Sequence, residues 1–121
     1  MSTAPPQRHA GPASPGMFRI GVGAGFAGDR MQPADELARG GGLHAMAFEC
    51  LAERTIGVAQ QARREGTGAG FDSRILRRFS GTLPALLGTG AVVTTNAGAA
   101  DPIGAAAATR ELCECLGLDA R

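Results

Sequence analysis

The sequence predicts an α/β fold: a three-stranded parallel sheet flanked by helices, forming the first part of a larger open, Rossmann-like α/β domain. Three observations predict it. Short apolar runs of strand length alternate with segments of helical period. The turn after each run is rich in glycine, carboxylates or amides, the composition of a polar rim at the carboxyl edge of a parallel sheet. The apolar content, 44% and largely alanine with five Phe and no Trp or Tyr, is too slight to cover both faces of such a sheet.

The elements follow in order. Residues 1–16, with four prolines among Ser, Thr, Gly and Ala, have no apolar period and read as a disordered leader, leaving residues 17–121 as the domain. His9 lies in that leader and receives no role. Strands are expected at "FRIGV" (18–22), "LHAMAFE" (43–49) and "AVVTT" (91–95), each bounded by glycine or loop residues. A short helix is expected in "PADELARG". A longer one spans 51–65, where Leu51, Thr55, Ile56, Ala59 and Ala62 form a narrow stripe toward the sheet. The helix after Ser73 repeats the stripe with Ile75, Phe79, Leu83 and Leu86, and takes Asp72 or Ser73 as its N-cap. Pro84 should kink it or restart it with Thr82 as a new cap. The last helix begins at Pro102 after Asp101 as N-cap and ends at Gly117.

Composition excludes several classes of function. Twelve basic and eleven acidic residues are scattered to a net charge of +1, with no basic stripe for nucleic acid. Every basic residue is arginine, so a Schiff-base lysine and a lysine-dependent phosphate loop are excluded. Cys50, Cys113 and Cys115 have neither C-x-x-C spacing nor an even count, which indicates no disulfide framework, no zinc site and a reducing, cytoplasmic location. No run is long enough to span a bilayer, and no cofactor is indicated.

"GAGFAGDR" raises the question of a dinucleotide, since Gly23-x-Gly25-x-x-Gly28 has the fingerprint spacing and Glu49 lies where a ribose-binding acid would sit. Against an NAD(P)-binding oxidoreductase, the helix should open inside the motif, whereas "DRMQP" follows Gly28 and Asp29 would face a pyrophosphate with like charge.

Taken together, "GFAGDR", "FECLAERT" and "TNAGAADP", in this order and at these separations, resemble the N-terminal region of the acyclic terpene utilisation (AtuA) family. The resemblance covers residues 18–118. It implies a role in bacterial catabolism of acyclic terpenes of the citronellol and geraniol type through acyl-coenzyme A intermediates. It also implies a chain representing the first segment of a longer architecture, completed by a C-terminal continuation or by self-association. Cys50 stands where the family pattern often has aspartate, and Asp101 where asparagine is frequent.

Residue chemistry supplies the candidate roles at this rim. Asp29 and Glu53 are the acid/base pair, each in a loop or first helical turn whose dipole favours the ionised form. Arg30 offers a fork for a carboxylate or phosphate. Gly23, Gly25, Gly28, Glu49, Asn96 and Gly98 complete the substrate contacts, Asn96 as donor to an oxyanion. Each has a structural alternative: Glu53 as dipole stabilisation, Asp29 as cap of the next helix, the glycines as positive-φ turn residues, Asn96 as a turn residue and Cys50 as a buried filler. The substrate expected is a small acyl or terpenoid molecule. A non-catalytic or truncated binding or assembly module is the competing reading.

Overall fold

The structure is a computed structural model that describes residues 15–120. The leader expected over 1–16 lies outside them, apart from Pro15 and Gly16. The chain runs β1 (Ile20–Ala24), α1 (Gln32–Gly40), β2 (Ala45–Phe48), α2 (Glu53–Glu65), α3 (Arg74–Gly88), β3 (Val92–Thr95) and α4 (Pro102–Cys115). The three strands pair in parallel in the order β1-β2-β3, with Ile20 beside Ala45 and Ala45 beside Val92. This is the α/β fold the alternation predicts.

Strand order decides which face is covered. Both crossovers step in the same direction across the sheet, and right-handed connections then place their helices on one side. α1 packs on β1 and α3, and α3 packs on β3 and α4. The apolar stripe of α3, Ile75, Phe79, Leu83 and Leu86, is buried against Met46 and Phe48, with the Phe48 and Phe79 rings meeting edge-on at 5.6 Å. Ala34 and Ala38 keep α1 thin, and Gly81 of α3 leaves the space that the Asp35 carboxylate occupies. Among the described residues, nothing covers the side chains of the opposite parity: Ile20 and Val22 are 66% exposed and Val92 is 65% exposed. The expectation of an under-covered parallel sheet is met by this open apolar face.

Several local expectations are corrected. β1 starts two residues later than residue 18, because Phe18 is spent on the His44 ring, stacked at 4.8 Å, while the Arg19 N–H donates to His44 Nδ1. α2 does not lay a stripe on the sheet. It buries no residue, and Ile56 is exposed. Alanine and threonine offer too little area to compete with the Ile, Phe and Leu of α3 for the same surface. α3 runs through Pro84 as one helix, and Thr82, expected as a possible new cap, sits inside it with its hydroxyl donating to the Arg78 carbonyl. Ser73 takes the N-cap position without a side-chain bond, and Asp72 Oδ1 accepts from the Arg74 N–H instead. Asp101 caps α4 through the Gly104 N–H at 2.9 Å. Beyond α4, Gly117 adopts φ 67° and Leu118 N–H returns to the Cys113 carbonyl, a Schellman closure.

Candidate functional site

The turns after the three strands meet at one edge of the sheet, and hydrogen bonds tie them together. Glu49 N–H donates to the Ala24 carbonyl, joining the ends of β2 and β1. Asn96, just after β3, accepts from the Cys50 N–H and donates to Glu49 Oε2, both at 2.7 Å. Glu49 Oε1 accepts from the Leu51 N–H. The segment before α3 joins in through Asp72 N–H to the Ala97 carbonyl, and Ala100 N–H reaches the Gly70 carbonyl.

Arg78 anchors the first turn from below. The residue is 1% exposed, and its guanidinium donates to the carbonyls of Ala27, Asp29 and Arg30, with Asp29 the nearest at 2.6 Å. Three carbonyls converging on one cation fix the path of residues 27–30 and leave the turn's other side toward solvent. Sequence reasoning did not nominate Arg78. The signal was its position, three residues after Ile75 and one before Phe79, inside the stripe that α3 buries.

Asp29 turns back on its own loop rather than forward onto α1, which has no side-chain cap. Its Oδ2 accepts from Gly25 N–H and its Oδ1 from Arg30 N–H. Those two backbone bonds, Gly25 first, hold its carboxyl below the ordinary value. The amide a pyrophosphate would need at Gly25 is therefore already engaged by an anion. None of Gly23, Gly25 and Gly28 has positive φ, so the turn-conformation reading of these glycines fails, and a steric one takes its place at Gly23 and Gly28. A Cβ on Gly23 would enter the Phe48 ring, and one on Gly28 would lie 3.1 Å from the Phe26 ring. A Cβ on Gly98 would lie 2.8 Å from Pro102 Cα.

α2 crosses above this rim instead of covering the sheet. Arg63 near its end donates to the Ala100 carbonyl at 2.7 Å. Between its first half and the turn after β1 lies a cleft of about 480 Å³, lined by Gly25, Phe26, Gly28, Glu49, Leu51 and the side chains of Arg54, Val58 and Arg74 among others. A smaller recess shares Thr55, Val58 and Arg74 with it and extends toward Asp72. Of the residues expected at the site, Gly25, Gly28 and Glu49 line the cleft, while Asn96 supports it through Glu49. Asp29, Arg30, Glu53, Gly23 and Gly98 are not among its lining residues.

The lining brings together parts of "GFAGDR" and "FECLAERT", while "TNAGAADP" braces them from β3. A family model described as the acyclic terpene utilisation family protein AtuA matches residues 18–121. The chain belongs to the acyclic terpene utilisation family. No curated protein and no solved structure shows significant similarity to it.

The chemistry available around the cleft is uneven. Cys50 is buried, and burial is the main influence pushing its thiol above the ordinary value, so at neutral pH it is a filler and not a thiolate. Cys113 is buried and Cys115 exposed, as their spacing on a helix requires. Among the described residues, no group of three or more His, Cys, Asp or Glu is placed to hold a metal ion, and no helix is long and apolar enough to cross a membrane.

Proposed function

We propose that this chain contributes a small-molecule substrate site to bacterial catabolism of acyclic terpenes, of the citronellol and geraniol type, through acyl-coenzyme A intermediates, in the cytoplasm. The family match supports the pathway. The observation that carries the site is the cleft between α2 and the turn after β1, where Phe26, Leu51 and Val58 give an apolar wall beside Arg54, Arg74 and Glu49. Asp29 and Glu53 are chain neighbours of lining residues and do not themselves face the substrate in this reading. The test is an amide-shift titration of the full chain with geranic acid, citronellic acid and their coenzyme A thioesters, with NAD as the comparison ligand. Shifts concentrated in residues 25–28 and 51–58 are expected. Shifts elsewhere, or none at millimolar ligand, would discard the cleft as the site, and an NAD response at Gly25 would favour the dinucleotide reading.

The open sheet face favours a second reading, an assembly module. Ile20, Val22 and Val92, with Ala45 and Ala47 between them by register, make an uncharged surface of a kind soluble monomers seldom leave bare. A second copy or further polypeptide would cover it. Sedimentation that stays monomeric and unchanged in Val22→Lys at all concentrations would count against self-association.

A further inference from the structure

The cleft's unengaged polar groups are nearly all donors. Glu49 is its one carboxylate, and both of its oxygens already accept, from Leu51 N–H and Asn96 Nδ2. Arg74 is tethered through Nε to Asp72 Oδ1 at 2.9 Å, with the arginine side chain 52% exposed and the carboxylate 9%. That bond tethers the guanidinium while its two η nitrogens make no hydrogen bond among the described residues, and Nη1 lies 3.9 Å from where a Cβ on Gly28 would stand. The absence of a side chain at Gly28 thus keeps open the space beside Arg74. Arg54 lines the same cleft from the first turn of α2 and makes no hydrogen bond or ion pair within the described residues. In the same lining, Phe26 and Val58 remain largely exposed and Leu51 is half-buried, Val58 lying one helical turn after Arg54 on the same face of α2.

A pocket with two arginine forks, a spent carboxylate and an apolar wall matches one ligand chemistry. We infer that the cleft takes an amphiphile by an oxyanion head group, carboxylate or phosphate, received by Arg54 and Arg74, with its hydrocarbon chain lying along Phe26, Leu51 and Val58. The inference rests on the reading of this cleft as the substrate site and adds the chemical class of what enters it. Asp72 offsets part of the Arg74 charge through its bond to Nε, so Arg54, which has no such partner among the described residues, is the stronger receiver of the head group. The part expected of Arg30 in the sequence, a fork for a carboxylate or phosphate, falls in this arrangement to two arginines further along the chain.

The experiment is calorimetry of the full chain with octanoate, octyl phosphate, octanol and inorganic phosphate. Both anionic amphiphiles should bind at least about tenfold more tightly than octanol, the difference one good charge-assisted contact supplies. The ratio of octanoate to octyl phosphate identifies which head group the site prefers. Arg54→Gln, at an exposed position with no partner to lose, should weaken the two anions toward the affinity of octanol, and the further loss of Arg74 should remove what remains, while octanol binding stays unchanged, which a folding defect would not allow. Arg54→Lys should restore part of the difference. Octanol binding as tightly as octanoate, with both abolished by Val58→Asp, would overturn the head-group assignment and keep the cleft. Anion binding that survives Arg54→Gln combined with Arg74→Gln would also overturn it. Failure of every amphiphile to bind would remove both the assignment and the cleft.

Discussion

The side-chain amide of Asn96 bridges two strand ends at once, donating to Glu49 Oε2 and accepting from the Cys50 N–H at the same 2.7 Å. This uses up the Asn96 side chain as a staple between β3 and β2 and orients the carboxylate that faces the cleft. Asn96→Ala should cost about 1–3 kcal/mol, since it leaves the half-buried Cys50 amide without its acceptor. Asn96→Asp should be worse at neutral pH, where it sets a second carboxylate against Glu49, and should recover part of the loss near pH 4 as the pair takes up a proton. Urea melts of the three proteins at both pH values measure this; an Asp variant insensitive to pH would refute the staple.

Arg78 is a buried cation whose side chain bonds, among the described residues, only to backbone carbonyls, and Nε is left without one. Arg78→Ala should destabilise by about 3 kcal/mol or more, combining a cavity with three carbonyls deprived of their donor. Arg78→Lys should recover only part, because an ammonium cannot span the three acceptors as a planar fork does. The check is denaturant unfolding together with hydrogen exchange in residues 25–31, which should speed up in Arg78→Lys even where global stability is mostly kept.

Asp29 gives the turn a defined response to acid. Its folded pKa is lowered below 3.8, so its contribution is present above the unfolded value and is lost as pH falls through the lower, folded one. Carbon-detected titration should place the Asp29 carboxyl below the ordinary aspartate value, and protection of the Gly25 amide should vanish over the same interval. Asp29→Asn should abolish that pH dependence while leaving the core unaffected. A Gly25 amide equally protected in Asp29→Asn would show that the carboxylate does not hold the turn.

The core of this fold was legible because α3 writes Ile75, Phe79, Leu83 and Leu86 at helical spacing, and the cap of α4 because Asp101 precedes Pro102. The destination of α2 was not. Its small-residue stripe has the right period, but period says which residues share a face and not which surface that face will win. Arg54 and Arg74 were passed over for a related reason, since arginine in a first helical turn reads as a solvated residue until α2 is seen to lie across the rim. Arg78 was hidden by the habit of assigning charge to the outside. Loop composition and the G-x-G-x-x-G spacing were enough to expect Asn96, Glu49 and Gly28 at one edge of the sheet, because the ends of adjacent parallel strands must share an edge.

Gly23 and Gly28 separate the core-facing from the cleft-facing use of glycine within one motif. A methyl group at Gly23 would enter the ring of Phe48, which is buried beneath Phe79 and has no room to retreat. Gly23→Ala should therefore cost about 1–3 kcal/mol by overpacking. At Gly28 the nearest obstacle is the exposed Phe26 ring, which can swing away, so Gly28→Ala should leave the melting temperature nearly unchanged. Its new methyl group would instead stand beside Arg74 Nη1 and narrow the cleft. Thermal melts paired with octanoate calorimetry resolve the two: stability lost with binding kept per folded molecule in Gly23→Ala, and stability kept with binding weakened in Gly28→Ala. The reverse assignment would mean that the first glycine of the motif, and not the third, addresses the ligand.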